Sequence, residues 1–338
     1  MSIRAFALPA IMAAAFFSTS AQAALDANQT FQQFNTVVFG NIDSTSHLHG
    51  RAWVGGNVVG GEYVHRSLPT SDYAGLTVQG NISNARVLAN GAVIKGNSTN
   101  TSVNSGSTAV FGNASDGYMN GPAYIYGTAS NINFNGGRLT TPNTQLDTNI
   151  AAASSTDFYS VLNQTSDNLA LLTNTSNVTW SSQKATFTAS ADNTGLAVFN
   201  LSDADALTIF GLGEFDFILN NATTIVINSG LKDIDISANF LGGSAQKIAG
   251  NVVWNFYNAQ TVDLGRQFGG TILATDATLT NQADIEGNVY VNNLIQRGQI
   301  HQYAFTGNLP IAAVPEPSSY AMLLLGLGFL GFAARRRA

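Results

Sequence analysis

The sequence contains no cysteine, and only 10 % of its 338 residues are charged. The first absence excludes disulfides, thiol nucleophiles and cysteine-ligated metal centres, so core burial and backbone hydrogen bonds alone must hold the fold. The second lies far below the charge content of about a quarter found in ordinary globular domains. Basic residues are scarcest. Four of the fourteen stand at the two ends of the chain, Arg4 and Arg335 to Arg337; setting them aside with Glu316 leaves ten basic and nineteen acidic residues, a body charge of −9. Such a body cannot neutralise a phosphate backbone, which excludes nucleic acid as a partner, and it has no basic surface to hold against a membrane. Hydrophobic residues make up 45 % of the chain, ample for a core, and the polar load falls on Asn, Ser, Thr and Gly.

The two ends are specialised. Met1 to Arg4 open with a basic residue, an apolar run follows from Ala5 to Phe17, and Ala21-Gln22-Ala23 closes it. Basic start, apolar stretch and small-x-small ending are the parts of a cleavable secretory signal, with Ala21 and Ala23 at the reading positions of the cleavage pocket. At the other end, Val314-Pro315-Glu316-Pro317 leads into an apolar segment, 320–334, and then Arg335, Arg336 and Arg337. The segment is near the lower limit of about 17 residues for a transmembrane helix. The arginines keep its end cytoplasmic and the body outside.

The last 25 residues resemble the PEP-CTERM sorting signal of Gram-negative bacteria, with the Pro-Glu-Pro motif, the short membrane helix and the basic cluster in order. The resemblance implies that an exosortase recognises Pro315, Glu316 and Pro317, removes the tail and passes the protein from the inner membrane to the cell surface or extracellular matrix. These positions are then substrate residues, not catalytic ones.

Between the ends, residues 24–313 carry a repeat. Gly-Asn pairs begin at Gly40, Gly56, Gly80, Gly96 and Gly112, and recur at Gly250 and Gly287. Three of the first four intervals are 16 residues and the other is 24. A short near-fixed period marks stacked supersecondary units. Gly and Asn enter left-handed backbone most cheaply, so each pair is expected to be a corner, and asparagines at equivalent corners can stack into ladders. Short apolar alternations such as Ala52-Trp53-Val54, Ala92-Val93-Ile94 and Ala123-Tyr124-Ile125 lie between corners, each too short to stand alone. Strand signals return at Ala185–Thr188, Leu196–Asn200, Thr224–Ile227, Val252–Phe256 and Thr271–Ala274. From Asn143 to Asn174 glycine is missing, and Leu146, Ile150, Ala153, Val161, Leu162, Leu169 and Leu172 fall largely at helical spacing, with a phase slip near Asp157-Phe158. The expected fold is all-β: one domain, a right-handed parallel β-solenoid (β-helix) with one long α-helix over 143–174 packed alongside, plus a C-terminal transmembrane helix.

Phe34-Asn35-Thr36-Val37-Val38-Phe39-Gly40 and Gly50-Arg51-Ala52-Trp53-Val54-Gly55-Gly56-Asn57 resemble the start of the choice-of-anchor A domain. Later blocks agree in order: Thr224 to Asn228, Trp254 to Ala259, and Gly269 to Ala274 leading to Ile285 to Val289. Thr275-Asp276 departs from the Pro-Asn or Pro-Asp that often follows Leu-Ala. The family is similar to ice-binding-like adhesive domains, which implies a β-helix flanked by a helix and an adhesive role. It assigns no catalytic residue and no cofactor.

Candidate sites are sparse. His47 and His49, two apart on a strand, face one way, but with Asp43 as the closest carboxylate they lack a third ligand for a metal. Asp203/Asp205, Glu214/Asp216 and Asp233/Asp235 have the same strand spacing and suit calcium chemically, yet follow no calcium-loop pattern. Thr186/Thr188 and Thr278/Thr280 supply hydroxyl pairs for an ice surface without a fixed repeat. The carboxylates form no assignable glycosidase pair. No catalytic, cofactor or metal residue is therefore expected. The sequence points to a noncatalytic surface or matrix protein that offers an Asn/Ser/Thr-rich face to exopolysaccharide or neighbouring cells, with tyrosines and tryptophans for stacking on sugar rings. A carbohydrate-active enzyme on the same scaffold and an ice-binding protein are the alternatives.

Overall fold

The computed structural model describes residues 23–310. Three-residue strands dominate the first third of the chain: Thr36–Val38, Ala52–Val54, Leu76–Val78, Ala92–Ile94, Thr108–Val110 and Ala123–Ile125 pair in that order, all parallel and in register. A second ladder runs beside them through Ile42–Leu48, Val58–Tyr63, Ser98–Val103, Ala114–Met119 and Ala129–Phe134, with the short strands Ile82–Ser83 and Arg86–Val87 filling the layer between Val58–Tyr63 and Ser98–Val103. Each strand is too short to be stable alone; stacking pairs it with its neighbours and turns Val38, Val54, Val78, Ile94 and Val110 into one continuous fully buried column.

The chain does not climb from one end of the stack to the other. Its first strand, Thr36–Val38, also pairs in parallel with the last long strand, Val289–Gln296. From there the order continues through Thr271–Asn281, Val252–Phe256, Thr224–Ser229 and Leu196–Leu201. The first strand thus lies in mid-stack. The chain builds outward to Phe134, crosses to the opposite end, and builds back until its last layer closes under its first. Predominantly β structure and a large parallel sheet, expected from the repeat, are present; the described residues contain one 23-stranded sheet and a second of four strands.

The crossing is made by helices. The long helix expected over 143–174 is two: α2 (Thr144–Ala152) and α3 (Phe158–Ala170), numbered after a short α1 (Ala27–Gln33). The interruption falls where the apolar phase slips. Ser, Thr and Asp compete with the helical backbone for hydrogen bonds: the Thr156 hydroxyl accepts from the Leu25 amide and the Tyr73 hydroxyl, both at 2.9 Å, and Asp157 caps α3 by accepting from the Ser160 amide at 3.1 Å. Pro142 precedes Asn143, which caps α2. The first ladder is covered on its outer side too. Trp53 donates from its indole to the Ala153 carbonyl at 3.2 Å, while Phe34 and Phe158 pack edge-to-face at 5.0 Å. Burial on both faces explains why these strands read as nearly continuous apolar triplets, interrupted by the buried Thr36, Thr77 and Thr108.

Asparagine ladders bind the layers, as expected at the Gly-Asn pairs. The Asn41 side-chain oxygen accepts from the Asn57 amide, Asn57 from Asn81, Asn81 from Asn97 and Asn97 from Asn113, each at 2.8 Å. The physical reason differs from the expected one. Gly40, Gly56, Gly80, Gly96 and Gly112 are not among the positive-φ residues. Glycine is required there because each layer's backbone lies against the next: a β-carbon at Gly80 would stand 2.5 Å from the Gly56 carbonyl oxygen. Left-handed backbone occurs instead at Gly60, Asn84, Asn100, Asp116 and Asn131, where the second ladder bends. A second ladder, Asn200–Asn228–Asn255, exposed at Asn200 and buried at the other two, was not foreseen; Asn228 and Asn255 also donate to the Leu169 and Ser166 carbonyls of α3 at 2.8 and 2.9 Å, fastening that helix to the sheet.

The four-stranded sheet corrects a further expectation. Lys184–Thr188 is not another layer of the main stack: it pairs antiparallel with Asn177–Trp180 and parallel with Glu214–Ile218, which pairs with Asn239–Phe240. Its period-2 pattern is the same in either setting, so the sequence could not distinguish them. Two more helices, α4 (Asp203–Phe210) and α5 (Ser244–Ile248), complete this half. Among the described residues no helix is long and apolar enough to cross a membrane. The expected transmembrane segment, 320–334, lies outside them.

Candidate functional site

The parallel register turns the outward side chains of the second ladder into rows. Ser83, Thr99, Ser115 and Ser130 stand above one another. Beside them run the exposed Asn84, Asn100, Asp116 and Asn131. Asn100 donates to the Asn84 oxygen at 2.8 Å and Asn131 to the Asp116 carboxylate at 2.7 Å, so the short polar groups are held in fixed order. At the neighbouring corner Lys95, Phe111 and Tyr126 form a third row: the ammonium lies 4.0 Å from the Phe111 ring centre, and the two rings stack at 4.3 Å. Tyr126 is exposed.

Towards mid-stack a separate polar row runs through Ser102, Arg86, Glu62 and His47, paired across successive strands. A groove of about 470 Å³ opens there. Glu62 is its hub: one carboxylate oxygen accepts from Arg86 at 2.9 Å, while the other lies 3.1 Å from His65 Nε2 and 3.6 Å from His47 Nε2. Val64, a β-branched residue at φ +65°, turns the chain so that His65 folds back over Glu62. The four histidines of the sequence form one file, His47 on His65 at 4.5 Å, His65 on His49 at 5.8 Å and His49 on His301 at 4.5 Å. Burial, then the charge of His301, lowers the His49 pKa to about 4, and burial followed by His47 lowers that of His65. At the far end His301 meets the buried Glu286 at 2.9 Å.

His47 and His49 therefore belong to a cluster whose other members, Glu62, His65 and His301, were missed. The repeat carried only part of the signal. One 16-residue layer beyond His47 is Tyr63, but a register shift between Ser44 and His47 sets Glu62 opposite His47, and His65 follows three residues later. Asp43, the carboxylate nearest in sequence, is turned away to Arg297 at 3.2 Å. Of the other pairs, Glu214/Asp216 and Asp233/Asp235 stay on one strand each, as expected. Asp203 and Asp205 lie in the first turn of α4 rather than on a strand, Asp216 meets Lys184 at 3.4 Å, and Asp233 accepts from Thr261 at 2.9 Å. Thr186 is in the small sheet and Thr278 and Thr280 in the large one, so no common hydroxyl array forms from them. Among the described residues, His47, Glu62 and His65 are the one group of three such side chains whose ligand atoms lie within 4.8 Å of one another. Ala23 is exposed at the start of the described chain. Ala21, Val314, Pro315, Glu316, Pro317, Arg335, Arg336 and Arg337 lie outside it.

Layered parallel strands carry ordered polar rows on an open face. Residues 27–302 match the ice-binding-like adhesive domain family, and the chain belongs to it. Residues 313–337 match the PEP-CTERM protein-sorting motif, which marks an exported, membrane-processed protein destined for the cell surface through an exosortase-type enzyme. No curated protein and no solved structure matches the chain.

Proposed function

We propose that the body is a right-handed parallel β-solenoid acting as a noncatalytic adhesin, which associates with exopolysaccharide or a neighbouring cell surface of a Gram-negative bacterium. One observation carries the reading: the register-locked rows Ser83–Thr99–Ser115–Ser130 and Asn84–Asn100–Asp116–Asn131. Strands about 4.8 Å apart repeat a hydroxyl and an amide or carboxylate at every layer, a surface suited to the many hydroxyls of a polysaccharide. The Phe111–Tyr126 stack beside them offers an aromatic edge to a sugar ring.

Co-sedimentation of the purified protein with the host's own exopolysaccharide is expected to saturate without release of reducing ends. Tyr126→Ala combined with Thr99→Ala weakens it roughly tenfold, equivalent to about 1.4 kcal/mol. Release of reducing ends would establish the carbohydrate-active enzyme instead.

The tail is proposed to anchor the precursor in the inner membrane through 320–334, with Arg335 to Arg337 cytoplasmic, until the exosortase removes it; Ala21 and Ala23 mark the earlier signal cleavage. Pro315→Ala with Pro317→Ala is expected to hold the protein in the membrane fraction, as does loss of the exosortase. Normal arrival in the matrix in both cases would refute the sorting role.

A further inference from the structure

We propose that His47, Glu62 and His65 form a binding site for a divalent transition metal of the zinc class, with an open coordination position facing the groove. Zinc with ligand bonds of about 2.0–2.2 Å in tetrahedral array places neighbouring donor atoms roughly 3.3 Å apart. His65 Nε2 and His47 Nε2 lie 3.1 and 3.6 Å from the same Glu62 oxygen. The site is thus near its bound dimensions before a metal enters.

The surroundings favour this use over a simple ion-pair network. Glu62 is one carboxylate facing two imidazoles, and two protonated imidazoles stacked at 4.5 Å and 14° would repel each other. Neutral imidazole, the metal-binding form, relieves that repulsion. Arg86 takes the second Glu62 oxygen and so aims the first at the histidines, the role that an outer partner plays around a metal-bound carboxylate.

The donor set also selects the metal. Two nitrogens and one oxygen suit zinc, nickel or copper, whereas calcium and magnesium require several oxygen ligands. Arg86, whose charge opposes any cation, strengthens that bias, since the metal must be held by nitrogen bonds rather than by carboxylate charge. The stacked rings must splay for both nitrogens to point at one ion. His47, with 43 % of its side chain exposed, has room to tilt. With three protein ligands the fourth position stays open to water or an external oxygen donor. The inference does not depend on the adhesive reading.

The test is calorimetric titration of zinc into the chelator-stripped full chain in mild detergent, with cobalt as a spectroscopic substitute. One equivalent is expected to bind, and cobalt should give the intense visible bands of a four-coordinate site. His65→Gln and His47→Gln should each weaken binding by about tenfold or more, while His301→Gln leaves it unchanged. His47 is partly exposed, so its variant keeps the test decisive should Glu62→Gln fail to fold. Lack of stoichiometric binding would overturn the site. So would binding that survives His47→Gln and His65→Gln, or binding that His301→Gln abolishes.

Discussion

Gly96→Val is expected to destabilise the protein by about 3 kcal/mol or more, at the upper end of the cost of overpacking, with a matching fall in the urea midpoint followed by circular dichroism. A β-carbon at Gly96 would stand 2.5 Å from the Gly80 carbonyl oxygen and 2.6 Å from the Asn81 side-chain oxygen. Neither can yield cheaply. The Gly80 carbonyl accepts from the Gly96 amide at 2.9 Å, and the Asn81 oxygen accepts from the Asn97 amide at 2.8 Å. One added branch therefore opens two inter-layer bonds at once and pushes Gly80 away. Gly211→Ala is the control. Its nearest neighbours would be at 3.5 and 3.6 Å and its backbone is right-handed, so alanine there should be neutral or stabilise by about 0.4–1 kcal/mol through the unfolded chain. Equal midpoints for the two variants would show that the layers are not in contact at the Gly-Asn column.

Trp254→Ala is expected to cost about 3–5 kcal/mol, seen as a lower unfolding midpoint and as loss of near-ultraviolet dichroism. The indole is fully buried, with Phe268 at 5.2 Å, Phe187 at 5.6 Å and Phe215 at 5.9 Å, and it donates to the Gly269 carbonyl at 2.8 Å. Phe187 and Phe215 belong to the small sheet and Trp254 to the large one, so truncation leaves a cavity at the seam and an unpaired carbonyl inside it. Trp180, 42 % exposed at the edge of the small sheet, should tolerate alanine within about 0.5 kcal/mol. A loss at Trp254 no larger than at Trp180 would mean that the two sheets do not share a core.

The 16-residue spacing of Gly-Asn pairs was enough to place the parallel layers and the ladder from Asn41 to Asn113, because any residue repeated at one height must meet its own kind. It could not place the small sheet, since Ala185-Thr186-Phe187-Thr188 alternates alike in parallel and antiparallel surroundings. Nor could it show that the chain begins in mid-stack. The pairing of Thr36 with Val289 joins positions that no local pattern connects. The helix break was visible as a phase slip, but its cause, hydrogen bonds that Thr156 accepts from Leu25 and Tyr73, is tertiary. The histidine cluster was half legible: His47 and His49 stand two apart in sequence, whereas Glu62 joins them through register and His65 through the unusual backbone at Val64.

The mid-stack start has a consequence for biosynthesis. As the chain emerges from its N-terminus, the layers from Thr36 to Phe134 can zip together in sequence, each on a template already made. The underside of Thr36–Val38 has to wait until Val289 is available. Throughout that interval it is a naked edge, open to pairing with another nascent chain. The last layer is therefore a latch as well as a structural element, and a chain truncated before residue 289 would leave that edge permanently open.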